Sequence, residues 1–134
     1  MLMFKVQLYT YKGLYRELEA DSINLPTPDG RRGVLSNHMP IMLPVSLGIV
    51  DMVVEGKPCS YTVADGVFYF ENNEAILISD NIEDVRDINI EEVRAAESRA
   101  RKRLAEATRE SDIARAQIAI QKALNKINAY NRDK

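Results

Sequence analysis

The sequence has little of what metal sites, disulfides and membrane spans require. Its 134 residues include one cysteine, one histidine and no tryptophan. Cys59 alone cannot form an internal disulfide, and with His38 alone it cannot supply a structural zinc site. No apolar run approaches the ~18 residues of a membrane span, and residues 1–10 alternate instead of forming a signal peptide. We therefore expect a protein of the cytoplasmic side that folds by apolar burial alone.

Glycine and proline are missing from the second half of the chain. All 6 glycines and all 5 prolines occur at or before Gly66. Ten of the 13 alanines lie after residue 84, whereas eight of the nine aromatic residues lie at or before Phe70. Residues 1–84 carry a net charge of −6 and residues 85–134 a net charge of +4, although the whole chain carries only −2. The sequence therefore predicts two domains, 1–84 and 85–134.

Short strands are predicted throughout the first domain. Apolar and polar residues alternate over Phe4–Thr10, the pattern of a strand with one buried face. Further β-branched or aromatic segments lie at 22–25, 47–54, 59–64, 67–70 and 75–79, with turn signals between them. Asp65-Gly66 predicts a hairpin turn, because glycine tolerates positive φ. Many short strands favour a small antiparallel β-sandwich or barrel.

Two helices are predicted in the second domain. Asn89 can cap a first helix with Glu92 three residues later, so the helix begins near Ile90 and runs to about Thr108. A polar turn follows, with Ser111 as the cap of a second helix. Apolar stripes run through Ile90, Val93, Ala100, Leu104 and Ala107, and through Ile113, Ala116, Ile120, Ala123, Ile127 and Tyr130. The expected fold is α+β: an antiparallel β-sandwich followed by an antiparallel two-helix hairpin, whose alanine-rich seam buries little area and opens readily.

No catalytic constellation is present in the sequence. Ser36, His38 and Asp51 could be read as a triad, but no Gly-x-Ser-x-Gly element supports it, so we expect a protein that is not an enzyme. His38 has two interpretations, a loop histidine bonded to backbone or part of a partner surface.

Basic residues concentrate on the first helix, at Arg99, Arg101, Lys102 and Arg103. They form either a solvated helix face or a surface for an acidic protein. Nucleic acid is not expected as a partner, because the first domain is acidic and no aromatic residue interrupts the basic run.

A second charged set spans both helices. Glu91, Arg94 and Arg101 share one side of the first helix, and Arg115, Lys122 and Lys126 share one side of the second. These residues either hold a polyphosphate or form ion pairs across the hairpin.

Several segments together carry a family resemblance. They are Phe4–Thr10, Asn24–His38, Ala64–Gly66 and Ile90–Ala95. In order and spacing they resemble the epsilon subunit of bacterial F-type ATP synthase, over essentially the whole chain. The resemblance implies a non-catalytic rotor subunit of the central stalk, peripheral on the cytoplasmic face of the cell membrane and reaching the membrane only through the complex. The alternative is a stand-alone sandwich whose basic hairpin grips an acidic protein.

The resemblance also implies partners. The sandwich would dock on the gamma subunit and the c-ring, while the hairpin would extend along gamma into the alpha and beta subunits and inhibit ATP hydrolysis. Arg31 and Arg32 would face the c-ring and His38 would face gamma, whereas Arg99 and Arg103 would meet an acidic segment of beta. Relatives carry an acidic residue in place of Arg31, so the c-ring contact here would use a different charge partner.

Some relatives bind regulatory ATP on the folded hairpin, and no other cofactor is implied. Their motif, Ile/Leu-Asp-x-x-Arg-Ala, corresponds to Ile90–Ala95, with glutamate replacing aspartate. The residues implied for ATP are Glu91, Arg94, Ala95, Arg101, Lys122 and Lys126. Because the two lysines replace arginines and lack the bidentate fork, we expect weak or no ATP binding.

Overall fold

The computed structural model describes residues 2–133, which form two compact units. The first unit ends at Asp84 and the second begins at Val85. The strands are β1 (Phe4–Thr10), β2 (Gly13–Ala20), β3 (Ser22–Thr27), β4 (Gly30–Leu35), β5 (Ile41–Val45), β6 (Gly48–Val54), β7 (Lys57–Val63), β8 (Gly66–Glu71), β9 (Glu74–Ser79) and β10 (Ile82–Asp84). A single 3₁₀ turn (Val85–Asp87) and the helices α1 (Ile90–Glu106) and α2 (Glu110–Arg132) follow.

The first unit is a β-sandwich of two five-stranded sheets, as the strand pattern predicts. The strand order is β2-β1-β9-β8-β5 in the first sheet and β10-β7-β6-β3-β4 in the second. Every pairing is antiparallel except β1 with β9, which run parallel in the middle of the first sheet. Parallel neighbours need a long connection, and the sequence between β1 and β9 supplies it.

The core lies between the inner faces of the two sheets. Phe4, Leu8, Phe68 and Leu77 from the first sheet are at most 2% exposed. The rings of Phe4 and Phe70 meet edge to face, with centroids 5.3 Å apart. The second sheet contributes Ile23, Leu25, Val50, Met52 and Tyr61, all nearly inaccessible to solvent. In β1 and β3 alternate residues thus bury one face, and in β1 this is what the alternation in the sequence predicts.

The expected hairpin at Asp65-Gly66 is wrong. β7 belongs to the second sheet and β8 to the first, so this dipeptide carries the chain from one sheet to the other. Gly66 does not have positive φ. Glycine is required for a different reason: a Cβ here would overlap the carbonyl oxygen of Ile78 on the neighbouring strand. Positive φ occurs instead in the two-residue turns Glu55-Gly56 and Asn72-Asn73.

Four strands lack the pattern that would have predicted them. β2 mixes charged and apolar residues on both faces, β4 begins Gly-Arg-Arg-Gly, β5 contains Pro44, and β10 has only three residues. β4 and β5 lie at sheet edges, where strands tolerate glycine and proline.

The helical predictions are confirmed except at the second cap. The Asn89 side chain accepts a hydrogen bond from the Glu92 amide at 3.2 Å, and α1 begins at Ile90. α1 ends at Glu106, slightly before the predicted Thr108. Ser111 is not a cap, because α2 already begins at Glu110 and its N-cap residue makes no side-chain capping bond.

The hairpin buries mainly alanine. The buried residues of the two helices are Ala100, Ala116, Ile120, Ala123 and Ala129, and four of these five are alanines. Between residues 2 and 133 no helix is both long and apolar enough to span a bilayer.

Replacing Gly66 with alanine should destabilise the sandwich strongly. The new methyl group would overlap backbone of β9 that is fixed by strand pairing, so the backbone itself must move. We expect the free energy of unfolding in denaturant to fall by at least about 3 kcal/mol.

Gly33→Ala is the matched control. A Cβ at Gly33 would meet only the side-chain nitrogen Nδ2 of Asn24, at an ordinary contact distance of 3.7 Å. Its effect should stay below about 1 kcal/mol. Equal losses in the two variants would contradict this account of Gly66.

Candidate functional site

The first sheet carries apolar side chains on both of its faces. In β5, β8 and β9 the inner positions are Leu43, Phe68 and Leu77. The intervening positions, which face away from the core, are also apolar: Met42, Pro44, Val67, Tyr69, Ile76 and Ile78. We call these six residues the apolar outer face.

Strand register brings this apolar outer face together. Met42 lies opposite Tyr69, which lies opposite Ile76 on the next strand. Val67 lies opposite Ile78. Met42 is 65% exposed, Tyr69 41% and Ile78 45%. Contiguous exposed apolar surface of this kind marks an interaction site rather than an ordinary protein surface.

The loop that contains His38 leads into β5, the edge strand of the sheet that carries this face. The His38 imidazole Nδ1 bonds to the Met39 carbonyl oxygen at 2.7 Å, and its ring meets Phe70 edge to face at 6.1 Å. Met39 is 72% exposed and lies two residues before β5. The His38 imidazole is therefore bonded to backbone, as the interpretation of a loop histidine expects. It lies close to β5, at the edge of the sheet that carries the apolar outer face.

A side chain that the sequence analysis missed fixes this loop. Asn73 accepts hydrogen bonds from the Asn37 amide at 2.7 Å and the Ser36 hydroxyl at 3.2 Å. Its own amide donates to the Met3 carbonyl at 3.0 Å. The turn between β8 and β9 thus holds the loop beside the sheet, and no local sequence signal announces a contact over this distance.

Arg31 and Arg32 lie on opposite faces of β4 and have different surroundings. Arg31 donates to the Asn24 side chain and to its carbonyl, and pairs with the Asp51 carboxylate at 3.1 Å. The same carboxylate accepts a hydrogen bond from Ser60 at 2.7 Å. The Arg32 side chain is exposed and has no ion pair among residues 2–133. Arg31 is thus already engaged by the sandwich, whereas Arg32 presents its charge to solvent.

The basic residues of α1 form an exposed surface. Arg99, Arg101, Lys102 and Arg103 are all exposed. Arg101 pairs with Glu97 one turn earlier, at 2.7 Å. Within the described part of the chain, Arg99 and Arg103 have no hydrogen-bonded or ionic partner. These two arginines therefore present positive charge on the exposed surface of α1.

The residues implied for ATP are distributed along the hairpin. Glu91, Arg94 and Ala95 are exposed near the start of α1, while Lys122 and Lys126 are half-buried in α2. In an antiparallel hairpin, Arg94 and Lys122 lie at similar distances from the connection. Arg101 lies nearer the connection and is paired with Glu97.

A pocket of about 400 Å³ lies at the connection between the helices. Its charged lining consists of Arg103, Glu106, Asp112 and Arg115, so positive and negative groups balance. Of the second charged set of the sequence analysis, only Arg115 lines this pocket.

Both units match families of known proteins. Residues 3–85 match the family described as ATP synthase, Delta/Epsilon chain, beta-sandwich domain. Residues 86–131 match ATP synthase, Delta/Epsilon chain, long alpha-helix domain.

Relatives match over nearly the full length. The ATP synthase epsilon chain of Lactobacillus delbrueckii subsp. bulgaricus is 35% identical over 135 residues, covering 96% of this chain and 92% of that protein. The epsilon chain of Caldicellulosiruptor bescii is 28% identical over 134 residues, covering 100% and 98%.

Solved structures share the fold. A chain of the Euglena gracilis mitochondrial ATP synthase, in a structure of OSCP/F1/c-ring, superposes with a TM-score of 0.78 at 18% identity, covering 96% of this chain and 82% of that one. A chain from the central stalk and c-ring of the Tetrahymena thermophila enzyme gives 0.60 at 12% identity, covering 94% and 95%.

Proposed function

Because this chain belongs to the epsilon subunit family of ATP synthase, whose members are non-catalytic, we propose that it is a rotor subunit that docks through its sandwich and inhibits ATP hydrolysis through its helices. It couples proton transport to ATP synthesis only as part of the assembled enzyme. It lies peripherally, on the cytoplasmic face of the cell membrane, and is held there by the complex.

The apolar outer face is the observation that supports docking on the gamma subunit. Tyr69 lies between Ile76 and Met42 on this face, with Met42 on the edge strand β5, and both Tyr69 and Met42 are well exposed. An aromatic residue and a methionine, surrounded by aliphatic neighbours, are typical of the core of a protein interface. Met39 is exposed two residues before β5, and His38 beside it is the residue for which the resemblance implies a contact with gamma.

Polar substitution on the apolar outer face should weaken binding to gamma. We expect Tyr69→Ser and Met42→Ser each to raise the dissociation constant at least about tenfold, because each removes a large exposed apolar side chain from this face. Titration of the purified gamma subunit with labelled chain measures this dissociation constant.

Leu35→Ser is the matched control for this experiment. Leu35 is 65% exposed but lies on the second sheet. Its substitution should leave the affinity unchanged. A loss of affinity in Leu35→Ser, with none in Tyr69→Ser, would place gamma on the other sheet.

We propose that Arg32 is the charge offered to the c-ring. Arg31 is paired with Asp51 on β6 and bonded to Asn24 on β3, so its charge is engaged within the second sheet. Arg32 points to the other side of the strand. A basic side chain at this position fits an acidic residue in the facing loop of the ring.

Inhibition is assigned to the helical hairpin. Arg99 and Arg103 present positive charge on a unit of net charge +4, which would steer the hairpin toward an acidic segment of the beta subunit. The buried alanines give the hairpin little apolar area to hold it in one state. These two features, a weak seam and an unpaired basic surface, suit a segment that refolds against an acidic partner.

Charge reversal on α1 should relieve the inhibition. We expect Arg99→Glu with Arg103→Glu to raise the ATPase rate of the reconstituted enzyme severalfold, since both side chains would repel an acidic partner. Lys12→Glu changes the charge on the sandwich instead and serves as control. An unchanged ATPase rate in the double variant would leave these arginines as a solvated face.

Regulatory ATP is proposed to bind the hairpin only weakly. Arg101 is already paired with Glu97, and Lys122 and Lys126 offer single-point charges where a guanidinium would bind two oxygens. We expect no saturable heat in calorimetric titration of the isolated chain below millimolar ATP.

Lys122→Arg with Lys126→Arg is the comparison variant for this titration. It restores the bidentate fork at both positions and should bind ATP more tightly than the natural chain. Saturable binding of micromolar ATP by the natural chain would contradict the proposal.

A further inference from the structure

Asp84 is a buried carboxylate at the end of the sandwich. It is 2% exposed and is the last residue of both β10 and the first unit. β10 has three residues and pairs only with β7, at the edge of the second sheet. Backbone pairing of so short an edge strand gives little resistance to its removal. A buried charge here therefore requires an explanation.

Two neighbouring residues that are distant from Asp84 in the sequence bind it. The Arg16 guanidinium donates to its carboxylate at 2.7 Å. The Asp84 backbone amide donates to the Tyr15 hydroxyl at 3.1 Å. Both partners belong to β2, which lies at the edge of the first sheet. These bonds tie the end of β10 to the opposite sheet of the sandwich.

Tyrosine rings enclose the arginine. The Arg16 guanidinium carbon lies 5.2 Å from the Tyr15 ring centroid and 5.6 Å from that of Tyr61, within the range of cation–π attraction. Arg16 also donates to the Tyr61 hydroxyl at 3.0 Å. A planar guanidinium can stack and donate in several directions at once, which a lysine cannot.

The protonation states suit this arrangement. Hydrogen bonds with Tyr61 and Asp84 raise the pKa of Arg16 further above its ordinary value. Burial raises the pKa of Tyr61 to about 12, although its bond to Arg16 acts in the opposite direction. Arg16 is therefore charged and Tyr61 neutral across the physiological range.

We propose that Arg16, Tyr15 and Tyr61 hold Asp84 as an anchor that fixes the exit of the chain from the sandwich, so that any movement of the hairpin pivots directly after Asp84, where the second unit begins. The hairpin movement rests on the proposed function, whereas the anchor rests on this geometry alone. Without the anchor, a force on the hairpin would first break the pairing between β10 and β7. The connection between the two units would then become longer and looser. The anchor thereby transmits the hairpin's state to the docked sandwich.

Hydrogen exchange of the isolated full chain tests the anchor. In Asp84→Asn and in Arg16→Gln, we expect the amides of residues 82–84 to exchange at least about tenfold faster than in the natural chain, with β6 unchanged. Lys5→Gln, which breaks the exposed Lys5–Glu74 pair at 3.8 Å, should change neither segment.

If Asp84→Asn or Arg16→Gln does not fold, two milder variants provide the same test. Arg16→Lys retains the charge without the fork, and Tyr15→Phe removes only the hydroxyl that accepts from Asp84. Each should still accelerate exchange in β10 selectively. Unchanged exchange in β10, or equal acceleration in β6, overturns the anchor.

An ATPase assay separates this proposal from the proposed function. With the anchor variants in the reconstituted enzyme, we expect weaker inhibition together with the faster exchange in β10. Faster exchange with unaltered inhibition overturns the transmission role. If the natural chain does not inhibit hydrolysis at all, the proposed function fails, while the exchange result still decides whether the anchor exists.

Discussion

A strand has two faces and a sandwich has one core, and this constraint governs the molecule. In the first sheet, the inner faces of β5, β8 and β9 complete the core with Leu43, Phe68 and Leu77. Their other faces remain apolar and are not needed for that core. The same strands that make the sandwich stable therefore leave a surface that calls for a protein partner. The proposed docking on gamma accounts for this surface.

The two units differ in the size of the side chains that they bury. The sandwich buries large aromatic and aliphatic side chains, so it is held together by its own core. The hairpin buries mostly alanines and exposes the positive charge of Arg99 and Arg103. The proposed binding of the hairpin to an acidic partner depends on this difference. The Arg16–Asp84 pair lies at the end of the first unit, directly before the second begins.

Regular patterns in the sequence predicted the fold well, because they report on local geometry. Alternation in β1 and the Asn89 cap of α1 both have the predicted structure.

Long-range contacts could not be predicted in this way. Gly66 looked like a turn residue because Asp-Gly favours turns, yet it is needed where two backbones approach. Arg31 and Asp51 lie 20 residues apart, and no local pattern indicates their ion pair. The apolar outer face did have a signal: Val67–Phe70 and Ala75–Ile78 are apolar at consecutive positions, more than one buried face requires. The Arg16–Asp84 pair joins residues 68 positions apart, and no spacing rule detects it.

Docking through the apolar outer face is the central claim, and site-specific photo-cross-linking in the assembled enzyme tests it most directly. A photoreactive side chain replaces Tyr69 in one preparation and Leu35 in another, both being exposed positions on different sheets. The account predicts a cross-link to gamma from position 69 and none from position 35. A gamma cross-link from position 35 alone would contradict it.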